Sequence, residues 1–332
     1  MLRRNTFSDC VVTNLAFIVT YDTPSVATYR RGIFMKIKHA LAEYLLEIEV
    51  RKYTQKTIRS YRNNLNLFVR YLDEEAEVFD TEDLTLTAVR KFSAYMVGRG
   101  KKGRYVNGLL KTAKSFIQYC YDEGYGGFNT KKNFKWCKED KVVITTFKPA
   151  HVKQMMASCG GTDYLSIRDR AVLSVLFETG IRCWELCCIK PEDIHDDYIV
   201  ITTGKNHKQR VVPITPLLRK ALMRYEAAKA IFFTLKPTDD YYFLSNHGRQ
   251  LTNSAIEHIV KRHGDGIEGI RVSPHTCRHF FAQQQVKMGT DLYTISRLLG
   301  HENIGITQTY LNSLRDSDII QIAKQKSVLM NL

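Results

Sequence analysis

The chain has 332 residues and a formal net charge of +15, from 49 Lys and Arg against 34 Asp and Glu. This length exceeds the usual size of one domain, so we expect two domains, each able to bury its own core. The charge points to a polyanionic partner, and DNA, RNA and an anionic membrane surface are all compatible with it. No stretch approaches the roughly 20 uninterrupted apolar residues that span a bilayer, which predicts a soluble, cytoplasmic protein without a membrane partner.

Residues 1–34 contain no amphipathic pattern of useful length, whereas a clear helical pattern begins soon after Met35. We therefore treat residues 1–34 as an N-terminal extension. Two explanations stay open at this point. Either Met35 is the physiological start, or the chain starts at Met1 and the extension is flexible.

A run of amphipathic helical patterns between residues 35 and 125 predicts a helical domain. Thr54 is the expected N-cap of the second helix, and the third and fourth helices are expected near residues 85–97 and 105–121. The apolar stripes of the first, second and fourth patterns are Ile37, Leu41, Tyr44 and Ile48; Ile58, Tyr61, Leu65, Phe68 and Leu72; and Val106, Leu109, Ala113, Phe116 and Cys120.

Basic residues lie on another face of the fourth helical pattern. Arg104, Lys111 and Lys114 are spaced to share that side of the helix, where they could contact phosphates. For any one lysine taken alone, a merely solvated helix face is the better explanation.

Residues 126–147 are rich in glycine and lysine and lack helical periodicity, so we expect a linker to a second domain at residues 148–332. Glycines at its start, including Gly126 and Gly127, predict flexibility. Its lysines could follow a DNA backbone from one domain to the other.

The second domain contains two local patterns that place basic side chains at turns. A helix from about Ile167 to Phe177 is expected to end at Gly180, with Arg182 directly after this cap. Two β-branched runs then predict a hairpin, strands 198–203 and 209–214, with Lys205 in its turn and Lys208 and Arg210 in the same basic segment. In isolation, Arg182 is better explained as a surface residue paired with Glu185, and Lys205 as a solvated lysine of the turn.

The C-terminal stretch holds two imidazoles, a guanidinium and a phenol within a short length of chain. His275 and Arg278 are three residues apart and share one face of a helix, and the turn at His301 precedes Tyr310. This set suits phosphoryl transfer by a tyrosine nucleophile. Each residue alone has a structural explanation, such as a helix cap or a packed aromatic ring.

The sequence gives no sign of a cofactor or a metal site. Its eight cysteines are scattered without zinc-like spacing and are expected to be reduced and structural. We find no Gly-Lys-Ser/Thr phosphate loop and no carboxylate cluster for two magnesium ions.

Taken together in order and spacing, these motifs resemble the tyrosine recombinase (phage integrase) family, and in particular its Xer-like members and transposon integrases. The resemblance covers nearly everything after residue 37. It implies a mainly α fold with a small β-sheet, in which a helical core-binding domain and an α+β catalytic domain form a two-domain DNA clamp. The catalytic residues that it implies are Arg182, Lys205, His275, Arg278, His301 and Tyr310, and the DNA-binding residues are Arg104, Lys111, Lys114, Lys208 and Arg210.

The resemblance also implies a reaction and its partners. Tyr310 would attack the scissile phosphate of a specific double-stranded DNA site to give a 3′-phosphotyrosyl link, with no metal and no cofactor. The protein would act as a synaptic tetramer, with accessory DNA-bending or directionality proteins, in integration or excision of a mobile element or in chromosome resolution. The tail after Tyr310 could pack in cis or on a neighbouring protomer.

Two other functions remain compatible with parts of the pattern. A type IB topoisomerase uses related phosphotyrosine chemistry as a monomer. A DNA-binding regulator could use the same scaffold without catalysis, although the complete set of site residues argues against that interpretation.

Overall fold

The computed structural model describes residues 35–140, 145–202, 209–301 and 303–311, apart from the side chains of residues 132 and 133. The chain divides into two compact units at residues 141 and 142. Each unit has its own buried apolar core. The described elements are helices and one two-stranded sheet, so the expected fold class, mainly α with a small β-sheet, is confirmed.

The first unit is helical, as its sequence periodicity predicts. Its helices are α1 (Ile37–Val50), α2 (Gln55–Glu74), α3 (Leu86–Gly98), α4 (Gly103–Asp122) and the short α5 (Thr130–Asn133). The predicted apolar stripes form its core, except that Tyr61 is only half-buried.

Side-chain caps fix where two of these helices begin. The Thr54 hydroxyl accepts a hydrogen bond from the Thr57 amide at 3.3 Å, so the predicted N-cap of α2 is confirmed. Thr85 does the same for Ala88 at the start of α3. In both cases a threonine oxygen satisfies an amide that the first helical turn would otherwise leave without a partner.

The segment after α4 is more tightly fixed than its composition predicts. At Gly126, φ is 112°, and a side chain there would collide with the backbone of Glu82. Further along, the Asn107 amide donates to the Cys137 carbonyl at 2.9 Å and accepts from the Cys137 amide at 2.8 Å. Glycine is therefore needed for a close approach of two backbones and does not provide flexibility here.

The second unit surrounds a long, largely buried helix, α7, which packs against α9 and α11. Its elements are α6 (Pro149–Ala157), α7 (Tyr164–Thr179), α8 (Cys183–Cys187), β1 (Tyr198–Thr202), β2 (Gln209–Pro213), α9 (Pro216–Phe232), α10 (Asn253–His263), α11 (Pro274–Lys287), α12 (Leu292–Leu299) and α13 (Ile304–Gln308).

Helix α7 begins earlier than its apolar pattern predicts and ends where expected. The Asp163 carboxylate accepts hydrogen bonds from the amides of Leu165 and Ser166, so the helix starts before Ile167. At the other end Gly180 adopts a φ of 61°, the left-handed conformation of a helix C-cap.

The predicted hairpin is present, with antiparallel pairing from Tyr198 opposite Pro213 to Thr202 opposite Gln209. Its turn, with Lys205 and Lys208, lies outside the described residues. The N-terminal extension, residues 1–34, and the tail, residues 312–332, lie outside them as well.

Three further features bear on the expectations from composition. None of the described helices is long and apolar enough to cross a bilayer. Every cysteine in the described ranges is free of a disulfide, and Cys10 lies outside those ranges. No cluster of three or more His, Cys, Asp or Glu side chains suited to a metal ion occurs among the residues that the structure covers.

Candidate active site

Arg182 lies at the sharp turn between α7 and α8, because the left-handed cap at Gly180 redirects the chain. Its amide donates to the Glu185 carboxylate at 2.7 Å, and its guanidinium donates to the same carboxylate at 2.8 Å. The other terminal nitrogen donates to the Gly300 carbonyl at 2.9 Å. The side chain nevertheless remains 43% exposed, so pairing with Glu185 and access for a ligand coexist.

Arg278 joins the Arg182 turn to the end of α12. It is only 3% exposed, and its two terminal nitrogens donate to the carbonyls of Gly180 at 2.9 Å and Leu299 at 2.7 Å. Burial and the charge of Arg182 lower the pKa of Arg278 to about 10, so the guanidinium still carries its charge at neutral pH.

The turn after α12 positions His301. Gly300 ends the helix with a φ of 64°, and the His301 Nδ1 lies 2.8 Å from the Thr307 hydroxyl. Burial and the charges of Arg278, Arg182 and Arg210 lower the pKa of His301 to about 4. The imidazole is therefore neutral at pH 7 in the absence of DNA.

Tyr310 is 2% exposed and packs with Phe281, Ile295 and Leu299. Burial raises the pKa of Tyr310 above its usual value and outweighs the charge of Arg278, which favours ionisation of the phenol. The phenol is therefore protonated at neutral pH without DNA, and its reaction as a nucleophile needs a proton acceptor.

The first turns of α11 carry two histidines on the side that faces Tyr310. Ser273 caps the helix by accepting from the Thr276 amide, and Pro274 fits the first helical position. His275 is exposed, and partial burial together with Arg278 and two other arginines lowers its pKa. One turn later the His279 Nδ1 lies 2.8 Å from the Tyr310 hydroxyl.

Arg210 does not have the exposed position that we predicted for a DNA-binding residue. Its guanidinium forms two hydrogen bonds with the Glu185 carboxylate, at 2.7 and 2.8 Å, and its Nε donates to the Leu298 carbonyl at 2.8 Å. The side chain is 10% exposed. The buried carboxylate of Glu185, which the strand pattern does not reveal, pairs with this cation, and a contact of Arg210 with DNA stays a prediction.

The comparisons with known proteins agree with this geometry. Residues 145–316 match the phage integrase family, and residues 41–124 match the phage integrase N-terminal SAM-like domain. The tyrosine recombinase XerD of Listeria monocytogenes is 30% identical over 269 residues, which cover 79% of this chain and 90% of that protein. The chain belongs to the phage integrase family.

Solved structures of this family share the fold. The Tn1549 transposon integrase in complex with transposon right end DNA superposes with a TM-score of 0.68 at 15% identity, over 88% of this chain and all of that one. A lambda integrase tetramer bound to a Holliday junction gives a TM-score of 0.67 at 17% identity, over 86% of this chain and 78% of that one. The family match and the similarity to XerD show that this phage integrase family member is a site-specific DNA recombinase of the tyrosine type, as the motifs predict.

The structure brings five of the predicted site residues of this recombinase into one region, and the sixth, Lys205, lies outside the described residues. Those five are Arg182, His275, Arg278, His301 and Tyr310. Trp184, beside the Arg182 turn, is 57% exposed.

The basic face of α4 is partly covered by its own unit. Arg104 and Lys111 are exposed, whereas the Lys114 ammonium lies over the rings of Phe134 and Trp136, at 5.4 and 5.5 Å from their centroids. Trp136 is itself 48% exposed. The face of the recombinase thus combines cations with an aromatic surface, an arrangement found in nucleic-acid-binding proteins.

Sequence reasoning missed His279 as a site residue. It stands four residues after His275, so the helical period already placed both on one side of α11. The spacing of the two histidines therefore indicated that His279 lies near His275. The sequence did not predict the contact of His279 with Tyr310, because that contact depends on how the chain returns after α12.

Proposed function

We propose that Tyr310 is the nucleophile of this recombinase and that its partners in the active site are Arg182, Lys205, His275, Arg278 and His301. The observation that carries the proposal is the position of Arg278. Its buried guanidinium contacts the carbonyl of Gly180 beside the Arg182 turn and the carbonyl of Leu299 beside the His301 turn. Lys205 enters through the family pattern alone.

In the reaction we propose, the Tyr310 oxygen attacks the scissile phosphorus and forms a 3′-phosphotyrosyl link. Arg182 and Arg278 bind the nonbridging oxygens, where charge accumulates in the transition state. Each terminal nitrogen of a guanidinium carries two hydrogens, so a carbonyl can take one while the other points to a phosphate. Their main-chain contacts hold both guanidinium groups in advance of substrate binding.

The departing 5′-oxygen takes a proton from Lys205, and His275 and His301 assist proton transfer and hydrogen-bond the phosphate. Because the phosphodiester energy is retained in the protein link, a 5′-hydroxyl of a second DNA strand can attack it and restore a DNA backbone. The cycle therefore consumes no ATP, and the proposal requires no metal or other cofactor.

We further propose the division of labour between the two units. Residues 35–125 form a core-binding domain that contacts DNA through Arg104, Lys111 and Lys114, residues 126–147 connect it to the rest, and residues 148–332 form the catalytic domain with its tail. The support is the separate core of each unit and the exposed cations of α4. Together the domains would close on a duplex as a clamp.

For the assembly, we propose a synaptic tetramer on two specific DNA sites, in the cytoplasm and associated with the nucleoid. The lambda integrase relative was solved as a tetramer on a Holliday junction, which supports this proposal. Integration or excision of a mobile element and chromosome resolution both fit the relatives, and accessory DNA-bending or directionality proteins would assist either process.

The proposal is tested by looking for a covalent adduct between the protein and DNA. Duplexes that the protein binds from a random-sequence library define the site. A nicked copy of that site then traps the cleaved complex, which is detected as a protein–DNA adduct on a denaturing gel. We expect Tyr310→Phe to bind this DNA and to form no adduct. Tyr293→Phe, which removes an exposed hydroxyl on α12, should form the adduct normally. An adduct from Tyr310→Phe would exclude Tyr310 as the nucleophile.

A supercoiled plasmid without the selected site separates this function from the topoisomerase alternative. A recombinase of the proposed kind should leave its supercoiling unchanged. Relaxation of that plasmid, absent in Tyr310→Phe, would indicate a topoisomerase.

A further inference from the structure

His279 contacts the hydroxyl oxygen of Tyr310, the atom that attacks phosphorus in the proposed reaction. Its Nδ1 lies 2.8 Å from the Tyr310 hydroxyl oxygen, at hydrogen-bond distance, and the two ring centroids are 5.5 Å apart. We propose that His279 is a further catalytic residue, the general base that accepts the phenolic proton of Tyr310 as its oxygen attacks phosphorus. The inference rests on the proposed function and names the proton acceptor which that function leaves unassigned.

The direction of the hydrogen bond follows from the protonation states. A protonated phenol donates, so Nδ1 must be the acceptor and the ring hydrogen is assigned to Nε2. Burial and the nearby His275 and Arg278 lower the pKa of His279 to about 4, which keeps the ring neutral and its acceptor available. The structure thus has the proton donor and a neutral acceptor already paired.

The surroundings of His279 explain why the base would become stronger when DNA is bound. From α11 it faces His275, with ring centroids 4.2 Å apart, and Arg278; Tyr310 and His301 approach from the segments after α12. A phosphate bound by the arginines adds negative charge to this group of neutral and cationic side chains. That charge favours the imidazolium form and so raises the basicity of Nδ1.

The other imidazoles are arranged for different tasks. His301 directs its Nδ1 to the Thr307 hydroxyl at 2.8 Å, and His275 lies at the exposed end of the helix. Both suit contacts with a bound phosphate. His279 is half-buried beside the phenol, where a proton acceptor has to be.

The step balances. The O–H bond of Tyr310 breaks and an N–H bond forms at His279, while the phenolic oxygen bonds to phosphorus. The bond from phosphorus to the 5′-oxygen breaks, and that oxygen receives its proton from Lys205. In the reverse step, an incoming 5′-hydroxyl returns its proton to Lys205, and the imidazolium of His279 returns the phenolic proton to Tyr310.

His279→Asn tests this role, since an amide oxygen near the position of Nδ1 can still accept a hydrogen bond from Tyr310 but cannot take the proton. The measurement is the single-turnover rate of adduct formation on the nicked site. We expect a loss of about 100-fold or more, with unchanged DNA binding and an unchanged melting temperature. His258→Asn, an exposed histidine on α10, is the matched control and should keep the full rate.

A second substrate separates a base at the nucleophile from a proton donor at the leaving group. A site with sulfur in place of the bridging 5′-oxygen has a leaving group that needs no proton. It should restore the rate of Lys205→Ala and should leave His279→Asn slow. If His279→Asn cleaves at the wild-type rate, or if the sulfur substrate restores it, His279 is not the base.

The pH profile adds a readout that a merely structural role would not change. The rate of His279→Asn should rise about tenfold per pH unit below the pKa of the phenol, because hydroxide must replace the base. The wild-type rate should level off at lower pH.

Should His279→Asn fold poorly, His279→Gln is measured in the same assays with the same criteria. Failure of this inference leaves the adduct and its loss in Tyr310→Phe intact, whereas failure of the proposed function removes the adduct from Tyr310 altogether.

Discussion

Glu185 is the buried carboxylate around which two arginines of the site are arranged. It accepts hydrogen bonds from the guanidinium groups of Arg182 and Arg210, at 2.7–2.8 Å. Burial alone would raise the pKa of Glu185, but the hydrogen bonds and charges of Arg210 and then Arg182 outweigh burial and lower it. Arg210 and Arg182 therefore share one buried carboxylate, which holds both guanidinium groups in place.

This arrangement predicts that Arg210→Ala destabilises the protein. Removing one partner of a buried ion pair leaves the other charge poorly compensated, which costs about 3 kcal/mol of the free energy of unfolding. Urea denaturation of the full chain measures the change. Arg249→Ala, whose exposed side chain pairs with Asp239 at 3.4 Å, is the control and should cost less than about 1 kcal/mol. Unchanged stability with weaker DNA binding would instead support Arg210 as a direct DNA contact.

Adding a side chain at a helix glycine is expected to have opposite effects on stability at Gly108 in the first unit and at Gly180 in the second. Gly108 lies on the exposed face of α4 with nothing within 4 Å of an added Cβ. Gly180 caps α7 with a φ of 61°, and a Cβ there would lie 2.5 Å from the Phe281 ring. The first position tolerates a side chain and the second requires glycine, although only backbone conformation and close packing distinguish them.

We therefore expect Gly108→Ala to raise the free energy of unfolding by up to about 1 kcal/mol, because alanine loses less backbone entropy in a helix. Gly180→Ala should lower it by about 2 kcal/mol or more, through backbone strain and collision with Phe281. Thermal and urea denaturation of the full chain test both substitutions. Equal effects of the two would contradict the assignment of Gly180 as a left-handed cap.

The exposed cations of α4 predict a measurable electrostatic contribution to DNA binding. Each phosphate contact that is removed should reduce the slope of log affinity against log salt by about 1. Arg104→Ala and Lys111→Ala should each produce this change on the selected duplex. Lys36→Ala is the control, because its ammonium is paired with Asp80 at 2.9 Å. An unchanged slope for both α4 variants would remove this face from the DNA interface.

At the scale of the whole molecule, the folded protein has to tolerate a net charge of +15 when no DNA is bound. In the second unit, the histidines of the site remain neutral beside the arginines, with pKa values of about 4 for His279 and His301. Protonation of these rings would add like charges to a half-buried cluster. The neutral form of these rings therefore contributes to the stability of the DNA-free protein.

Stability should accordingly fall as the pH falls. In the unfolded chain these histidines titrate near their ordinary pKa of about 6.5. The unfolded state then binds more protons than the folded state between about pH 6.5 and pH 4. The stabilisation is complete above the unfolded pKa and is lost as the pH falls toward the folded value, by on the order of 1 kcal/mol per ring after allowing for partial exposure.

Urea denaturation at pH 7.5 and pH 5 measures this difference. Combining His279→Asn with His301→Asn should reduce it, whereas the same substitution at the exposed His247 should leave it unchanged. A difference of the same size in the double variant would assign the acid sensitivity to other groups.

The sequence by itself determined the features that depend on local order along the chain. Helical periodicity defined the core of the first unit, capping rules defined Thr54 and Gly180, and the order of Arg182, His275, Arg278, His301 and Tyr310 identified the family. Only the tertiary structure decided how these side chains are used. The burial of Arg210 against Glu185, the covering of Lys114 and the pairing of His279 with Tyr310 each join residues that are remote along the chain. Such contacts depend on packing between elements, which local periodicity does not encode.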